Sequence, residues 1–489
     1  KAYLWDLQYP FKVQATANLR DRGVAEYTVV QAEEGKPNGT FLIEKPASNP
    51  NYKANVEMFA KSFDGNRNKT YATWQYFGSP VKAANRDQLP LESTWVRKYN
   101  RTLNVPNSDE KWEDVTTGTL TQGEAYEITQ PKPANYRFIG ELNTGDFTFN
   151  VNGMASATNY QDMNILANPY TGAMNIEKLD FSGATAADKV VYLFNTGSRK
   201  DWIANNGANA TINTGVTEGQ YTKAIPANLA GYVNGMPKDI PSLSSFMVKS
   251  TGAGTLKYRY ADLVNVVATE NRAPERRFHS LAVDVESAKS ADRLWLVQAE
   301  GTTDRYDNGW DGEKIFAPGE TALYAMQDRS YQVTTTETIG ETKLGFVPAE
   351  GEQNYKLTFH IDGADGAQEY TLLDKRTGLT RAIHDGDTYE FTAAQGDAAH
   401  RFTILGNGAK ATADQRGFQI SADLRRNFTV KNFTDEPAEA LVFDAAGKIQ
   451  ARFKVEAGSE NTGTVVMPGA YVVRVSNKVT TLTQRFVMP

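Results

Sequence analysis

The chain contains no cysteine. Disulfide frameworks, thiolate zinc sites and cysteine nucleophiles are therefore all excluded, and stability has to come from burial and strand pairing. Histidine is almost as scarce: His279, His360, His384 and His400 are the four in 489 residues, and they are scattered. No His-x-x-x-His or glutamate-bearing zinc spacing occurs, and no Gly-x-Ser-x-Gly elbow, so a triad hydrolase or a helix-borne zinc protease is disfavoured. No apolar run approaches the roughly 18 residues that a membrane helix needs. A basic field is also missing. Lys and Arg number 52 against 58 Asp and Glu, a net charge of −6, so there is nothing to release counterions from a polyphosphate, and nucleic acid is excluded as a partner. Two acids for glycoside hydrolysis need only meet in space at about 5–10 Å, and with this many carboxylates that criterion decides nothing.

The first residues, Lys1 to Asp6, lack the apolar stretch of a signal peptide. They read as a mature start or, preferably, as a fragment of a longer chain. A length of 489 residues implies several domains.

What the chain does contain is strand chemistry. Tyr and Phe occur 23 times each, and period-2 alternation recurs from end to end. Leu256, Tyr258 and Tyr260 alternate with Lys257 and Arg259, as do Leu357, Phe359 and Ile361 with Lys356, Thr358 and His360. Pairs such as Asn152-Gly153, Asn308-Gly309 and Asp385-Gly386 mark turns between antiparallel strands. Polar breaks near Gly65–Tyr71, Asn271–Glu275 and Gly406–Gln415 divide the chain. The expected organisation is the end of a preceding β region over 1–70, β-sandwich domains over 71–270 and 271–408, and a terminal domain over 409–489. The fold class is all-β: tandem β-sandwiches of jelly-roll or immunoglobulin-like type, ending in a small seven-stranded sandwich.

Trp74-Gln75-Tyr76-Phe77-Gly78-Ser79-Pro80 echoes Met163-Asn164-Ile165-Leu166-Ala167-Asn168-Pro169, and each is followed later by an aromatic strand, Ala125–Ile128 and Ser245–Val248. Two readings stand. The echo is either an internal duplication or the common habit of sandwich strands to stop at a proline, which cannot donate to a ladder.

The terminal segment packs short strands into some seventy residues. Ile449, Ala451, Phe453 and Val455 are expected to face inward, and Gln450, Arg452 and Lys454 outward. Val442-Phe443-Asp444-Ala445-Ala446-Gly447-Lys448, then Pro468-Gly469-Ala470-Tyr471-Val472-Val473-Arg474-Val475, then Arg485-Phe486-Val487-Met488 follow in order at the C-terminal end. In that order and position the segment resembles the type A C-terminal sorting domain of type IX secretion cargo in Bacteroidota, although the Pro-Asn-Pro often found at the start of such domains is missing. The resemblance implies that Asp444, Gly447, Lys448, Gly469, Tyr471 and Arg485 form a sorting signal. It further implies passage across the outer membrane, docking on an outer-membrane β-barrel shuttle and translocon, and removal of the domain when the cargo is attached to lipopolysaccharide. A chain that keeps the domain is then uncleaved cargo. Stretches such as Tyr136–Gly145 and Tyr306–Gly312 also resemble repeating β-regions of large secreted proteins of these bacteria.

Two further groups invite a ligand. In the loop Thr303–Glu313, Asp307 and Asp311 are spaced to wrap calcium through oxygen ligands, although the loop lacks the bidentate glutamate of an EF-hand; a plain hairpin turn is the competing reading. Trp202 and Trp310 lie in polar stretches, where an exposed ring would stack on a glycan or contact a host ligand. The functional expectation is a secreted, non-enzymatic cell-surface protein, adhesin-like or structural, with no cofactor. The alternatives are the C-terminal accessory region of a larger secreted hydrolase, or a carbohydrate-binding array.

Overall fold

The computed structural model describes residues 28–33, 38–44, 51–62, 74–103, 105, 108–153, 162–194, 221–231, 233, 235–264, 278–363, 369–406, 417–423 and 425–488, and the strand backbone at 6–7 and 11–13. Among them the α-helix is Pro226–Ala230, and strands dominate everywhere else, so the chain is all-β. It forms two compact units: Lys1–Phe278 with Asp307–Ala317, and His279–Tyr306 with Pro318–Pro489. The expected domain over 271–408 therefore gives up the segment from Asp307 to Ala317 to the first unit.

Among the described residues, the first unit holds two modules built on eight corresponding strands each, with short extra strands such as Val81–Lys82 and Asp180–Gly183 added at their ladders. The first consists of β1 (Lys53–Ala60), β2 (Gln75–Phe77), β3 (Ala84–Asn85), β4 (Trp95–Tyr99), β5 (Trp112–Asp114), β6 (Thr119–Leu120), β7 (Tyr126–Thr129) and β8 (Ala134–Leu142). The second consists of β9 (Phe147–Val151), β10 (Met163–Ala167), β11 (Ala173–Asn175), β12 (Val191–Phe194), β13 (Tyr221–Ala224), β14 (Asp239–Ile240), β15 (Ser245–Lys249) and β16 (Gly254–Tyr258). In each module the first strand pairs with the eighth, the second with the seventh, the third with the sixth and the fourth with the fifth. The seventh also pairs with the fourth. This is jelly-roll wiring.

Register is conserved between the modules as well. Phe77 opposes Tyr126 as Leu166 opposes Phe246, and Tyr99 opposes Trp112 as Phe194 opposes Tyr221. A 3-10 turn follows the third strand in both, Arg86–Gln88 and Ile176–Lys178, and is closed by the N–H of Leu89 and of Leu179. The echo of Trp74–Pro80 in Met163–Pro169 is thus the second strand of a duplicated module. Proline habit alone would not reproduce five pairings and their registers.

The two modules meet reciprocally. Gly78 N–H donates to Leu243 O at 2.9 Å, and Ala167 N–H donates to Gly123 O at 3.0 Å. Gly78 and Ala167 are equivalent positions, as are Gly123 and Leu243, so the contact is isologous, with a pseudo-two-fold axis near the Gly78–Ala167 pair. Gly123 has φ +75° and Leu243 has φ +60°. The second turn keeps the left-handed conformation with a side chain that pays strain for it, and Leu243 is buried in the core of the first module beside residues such as Phe77, Tyr126 and Phe138.

The β1–β8 ladder crosses the division expected near residue 70, joining residues on both sides of it into one core. Local polarity there interrupts a strand pattern without ending the sandwich, because the partner strand lies far away in sequence. Short parallel ladders also occur toward the N-terminus, Phe11–Val13 with Phe41–Ile43 among them, where only antiparallel hairpins and meanders were expected.

In the second unit, strands between His279 and Gly406 form one sheet that folds over on itself. Phe391 and Phe402, from well-separated strands of that sheet, have ring centroids 4.9 Å apart and share a core with Phe346, Tyr355 and Leu296. The strand Ala291–Gln298 is buried on both faces, Trp295 included, so alternation fails there.

The chain ends in seven strands: β17 (Phe418–Ala422), β18 (Asn427–Asn432), β19 (Ala438–Asp444), β20 (Ile449–Val455), β21 (Glu460–Thr464), β22 (Gly469–Ser476) and β23 (Thr481–Met488). They form two sheets, β17-β18-β21 and β20-β19-β22-β23, around a core of their own that includes Phe418, Phe428, Val442, Tyr471 and Val473. This is an immunoglobulin-like sandwich.

Candidate functional site

The candidate site is the terminal sandwich, where turn geometry accounts for most of the motif residues. The Asp444 carboxylate accepts the N–H groups of Ala446 at 2.9 Å and Lys448 at 3.0 Å, and the amide of Gln450 at 2.6 Å. The Lys448 N–H, followed by the Gln450 amide, holds this carboxyl below the usual carboxylate range. Gly447 closes the hairpin at φ +78°, a conformation that costs glycine little. At the same end of the sheet, where Asp444 opposes Tyr471, Gly469 at φ +150° starts β22. Two residues on, Tyr471 is buried and its hydroxyl donates to Met467 O at 2.6 Å. A tyrosine near the start of the sixth strand that bonds back to the preceding corner is the tyrosine corner of immunoglobulin-like folds.

Lys448 and Arg485 carry exposed, charged side chains that take no part in closing these turns. The ladders place Ile449, Phe443, Val472 and Arg485 side by side across the four-stranded sheet, with Arg452, Leu441 and Arg474 in a neighbouring row. Val442 and Val473 point into the core, so by strand parity these rows face outward. The outward face is an apolar strip flanked by arginines, and Val487 beside it is 84% exposed. A β-bulge between Val442 and Phe443 brings Ile449 opposite Phe443 and turns it outward, 43% exposed, against the inward orientation expected from simple alternation. The apolar strip was therefore hidden in the sequence by one extra residue in β20.

Trp202 lies outside the described residues. Trp310 is half-buried, with its ring 5.8 Å from that of Phe278 and its carbonyl accepting from Asn228 Nδ2 at 3.2 Å. Asp311 is buried and its carboxylate accepts the Asp307 N–H at 2.7 Å, while Asn308 holds the loop to Lys189 and Ala187. These bonds describe a clamped turn, and among the described residues no group of three or more His, Cys, Asp or Glu is placed to hold a metal ion. The four histidines remain apart: His279 bonds Tyr370, His360 bonds Asp284, His384 bonds Asp387, and His400 bonds Thr403 and Lys375.

Twin jelly rolls, a folded-over sheet and an immunoglobulin-like end define a modular all-β chain. The chain belongs to the family described as a domain of unknown function, DUF8693, which matches residues 6–405 and stops short of the terminal sandwich. Over 484 residues it is 31% identical to the minor fimbrium subunit Mfa5 of Porphyromonas gingivalis, an alignment that covers 94% of this chain and 38% of that protein. The chain thus spans less than half the length of that relative. A solved BSP domain of a biofilm associated protein is 10% identical, covering 88% of this chain and 98% of that one, at a TM-score of 0.13, a likeness too weak to carry any argument.

Proposed function

We propose that the chain is a non-enzymatic component of the bacterial surface, adhesin-like or structural, and that residues 409–489 are a detachable address for type IX export. The observation that carries the reading is the similarity to a fimbrium subunit along almost the whole chain. The export half rests on the resemblance of the C-terminal motifs to a sorting domain. It draws support from a terminal core separate from that of the preceding sheet and from an outward face that joins apolar and basic residues. On this reading Asp444, Gly447, Gly469 and Tyr471 build the sandwich, while Lys448 and Arg485 contact the partner. That partner is an outer-membrane β-barrel shuttle with its translocon, and after cleavage the cargo is joined to lipopolysaccharide at the extracellular face.

Deleting residues 417–489 in a Bacteroidota host tests the address. The truncated chain is expected to stay in the periplasm, protected from added protease in intact cells. Normal surface display of the truncated chain would refute it.

A further inference from the structure

Because the two jelly rolls meet on a pseudo-two-fold axis, each feature of their junction has a counterpart, and at one counterpart pair the side chains differ greatly in reach. On one side Tyr76 of β2 reaches across to the second module. Its ring stacks on Phe194 at 4.5 Å, and its hydroxyl lies 3.1 Å from that of Tyr221. The ladder registers make Ile165 the counterpart of Tyr76, Tyr99 that of Phe194 and Trp112 that of Tyr221. On the other side, then, the shorter Ile165 stands where a tyrosine plug would be, and there a cleft of about 480 Å³ opens against Tyr99.

We propose that this cleft binds an uncharged saccharide. Its volume is that of a small-ligand site, and a junction between modules is where such sites concentrate. One wall is the half-buried ring of Phe147, which lies across the backbone of Gly123; a Cβ at Gly123 would come within 2.3 Å of the ring. That ring offers an apolar face to the C–H side of a sugar. The same cleft is lined by the amides Gln122 and Asn150, whose side chains can both donate and accept and so match adjacent hydroxyls. The framework is held in place by its own bonds. Arg101 donates to the buried Asn164 Oδ1 at 3.0 Å, Lys98 pairs with Glu124 at 2.6 Å, and Asn100 donates to Glu113 at 2.9 Å. Two cations and two carboxylates leave the lining without net charge, so neither an anionic nor a cationic ligand gains from its field.

The inference is independent of the export route and needs only the purified chain. The probe is an array of neutral, sialylated and sulfated oligosaccharides, read with the wild-type chain and with Ile165→Tyr, Phe147→Ala and Gln122→Ala, each checked for an unchanged far-UV spectrum and cooperative melting. The expected result is binding to neutral glycans, weakened at least tenfold by Ile165→Tyr, which rebuilds the plug, and by whichever of Phe147→Ala and Gln122→Ala remains folded. Binding to no glycan, binding to acidic glycans alone, or neutral-glycan binding that the folded variants leave unchanged overturns it.

Discussion

Gly78 and Ala167 face each other across the pseudo-two-fold axis so closely that a Cβ added to Gly78 would lie 2.3 Å from the Ala167 Cβ. Each belongs to the same position of its own module. The junction therefore has room for one methyl group at two equivalent positions, and the glycine at 78 leaves it to Ala167.

Gly78→Ala is expected to destabilise the first unit by about 1–3 kcal/mol, because neither Cβ has a flexible end that can swing aside. Adding Ala167→Gly restores a single methyl and should recover most of the loss. Denaturant unfolding of both single variants and the double variant measures the coupling. A double variant as unstable as Gly78→Ala would show that the two residues do not share one space.

Asp239, buried in β14 beside Asn175, carries a pH signature. Burial pushes its carboxyl up to about 7, against the opposing effects of Lys238 and the Asn175 side chain. An unfolded aspartate titrates near 4. Between about pH 4 and 7 the unfolded chain therefore releases a proton that the folded chain keeps, so this group's contribution to stability falls as pH rises through that window and levels off above it. Asp239→Asn should flatten that part of the profile and be more stable than the wild type at pH 8, by an amount on the order of a few kcal/mol. Melting curves from pH 4 to 8 check it, and parallel profiles for the two proteins would contradict it.

At the tyrosine corner, Tyr471→Phe keeps the ring in the core and removes the bond to Met467 O. A loss of about 0.5–1.5 kcal/mol is expected, seen as lower-temperature melting of the terminal sandwich with the rest of the chain unaffected. An unchanged melting temperature would mean that the bond adds nothing to the corner.

How much of this was legible beforehand follows from what local pattern can carry. Leu256 and Tyr258 are buried while Lys257 is exposed, as alternation requires, because the strand Gly254–Tyr258 has one wet face; Tyr260 is buried as well, from the 3-10 turn that follows the strand. The strand Ala291–Gln298 has none, and its pattern goes silent. Asp444, Gly447 and Gly469 announce turns through their own chemistry. The outward turn of Ile449 depends on a bulge, and the cleft beside Ile165 depends on which residue the fold makes its twin. Both are properties of pairing between distant segments, as is the ladder across residue 70, and composition or spacing along the chain does not encode them. The echo of Trp74–Pro80 in Met163–Pro169 is likewise fixed by register, since both strands meet their partners in the same way.

An address should work on foreign cargo, so the terminal sandwich can be tested by transfer. Residues 409–489 are fused behind a folded reporter that is otherwise retained in the periplasm of a Bacteroidota host, and surface exposure is read by antibody labelling of intact cells. The account predicts that the reporter reaches the surface and that charge reversal at Lys448 and Arg485 together sharply reduces its arrival. A fusion that accumulates stably in the periplasm, with its terminal sandwich folded, would contradict it.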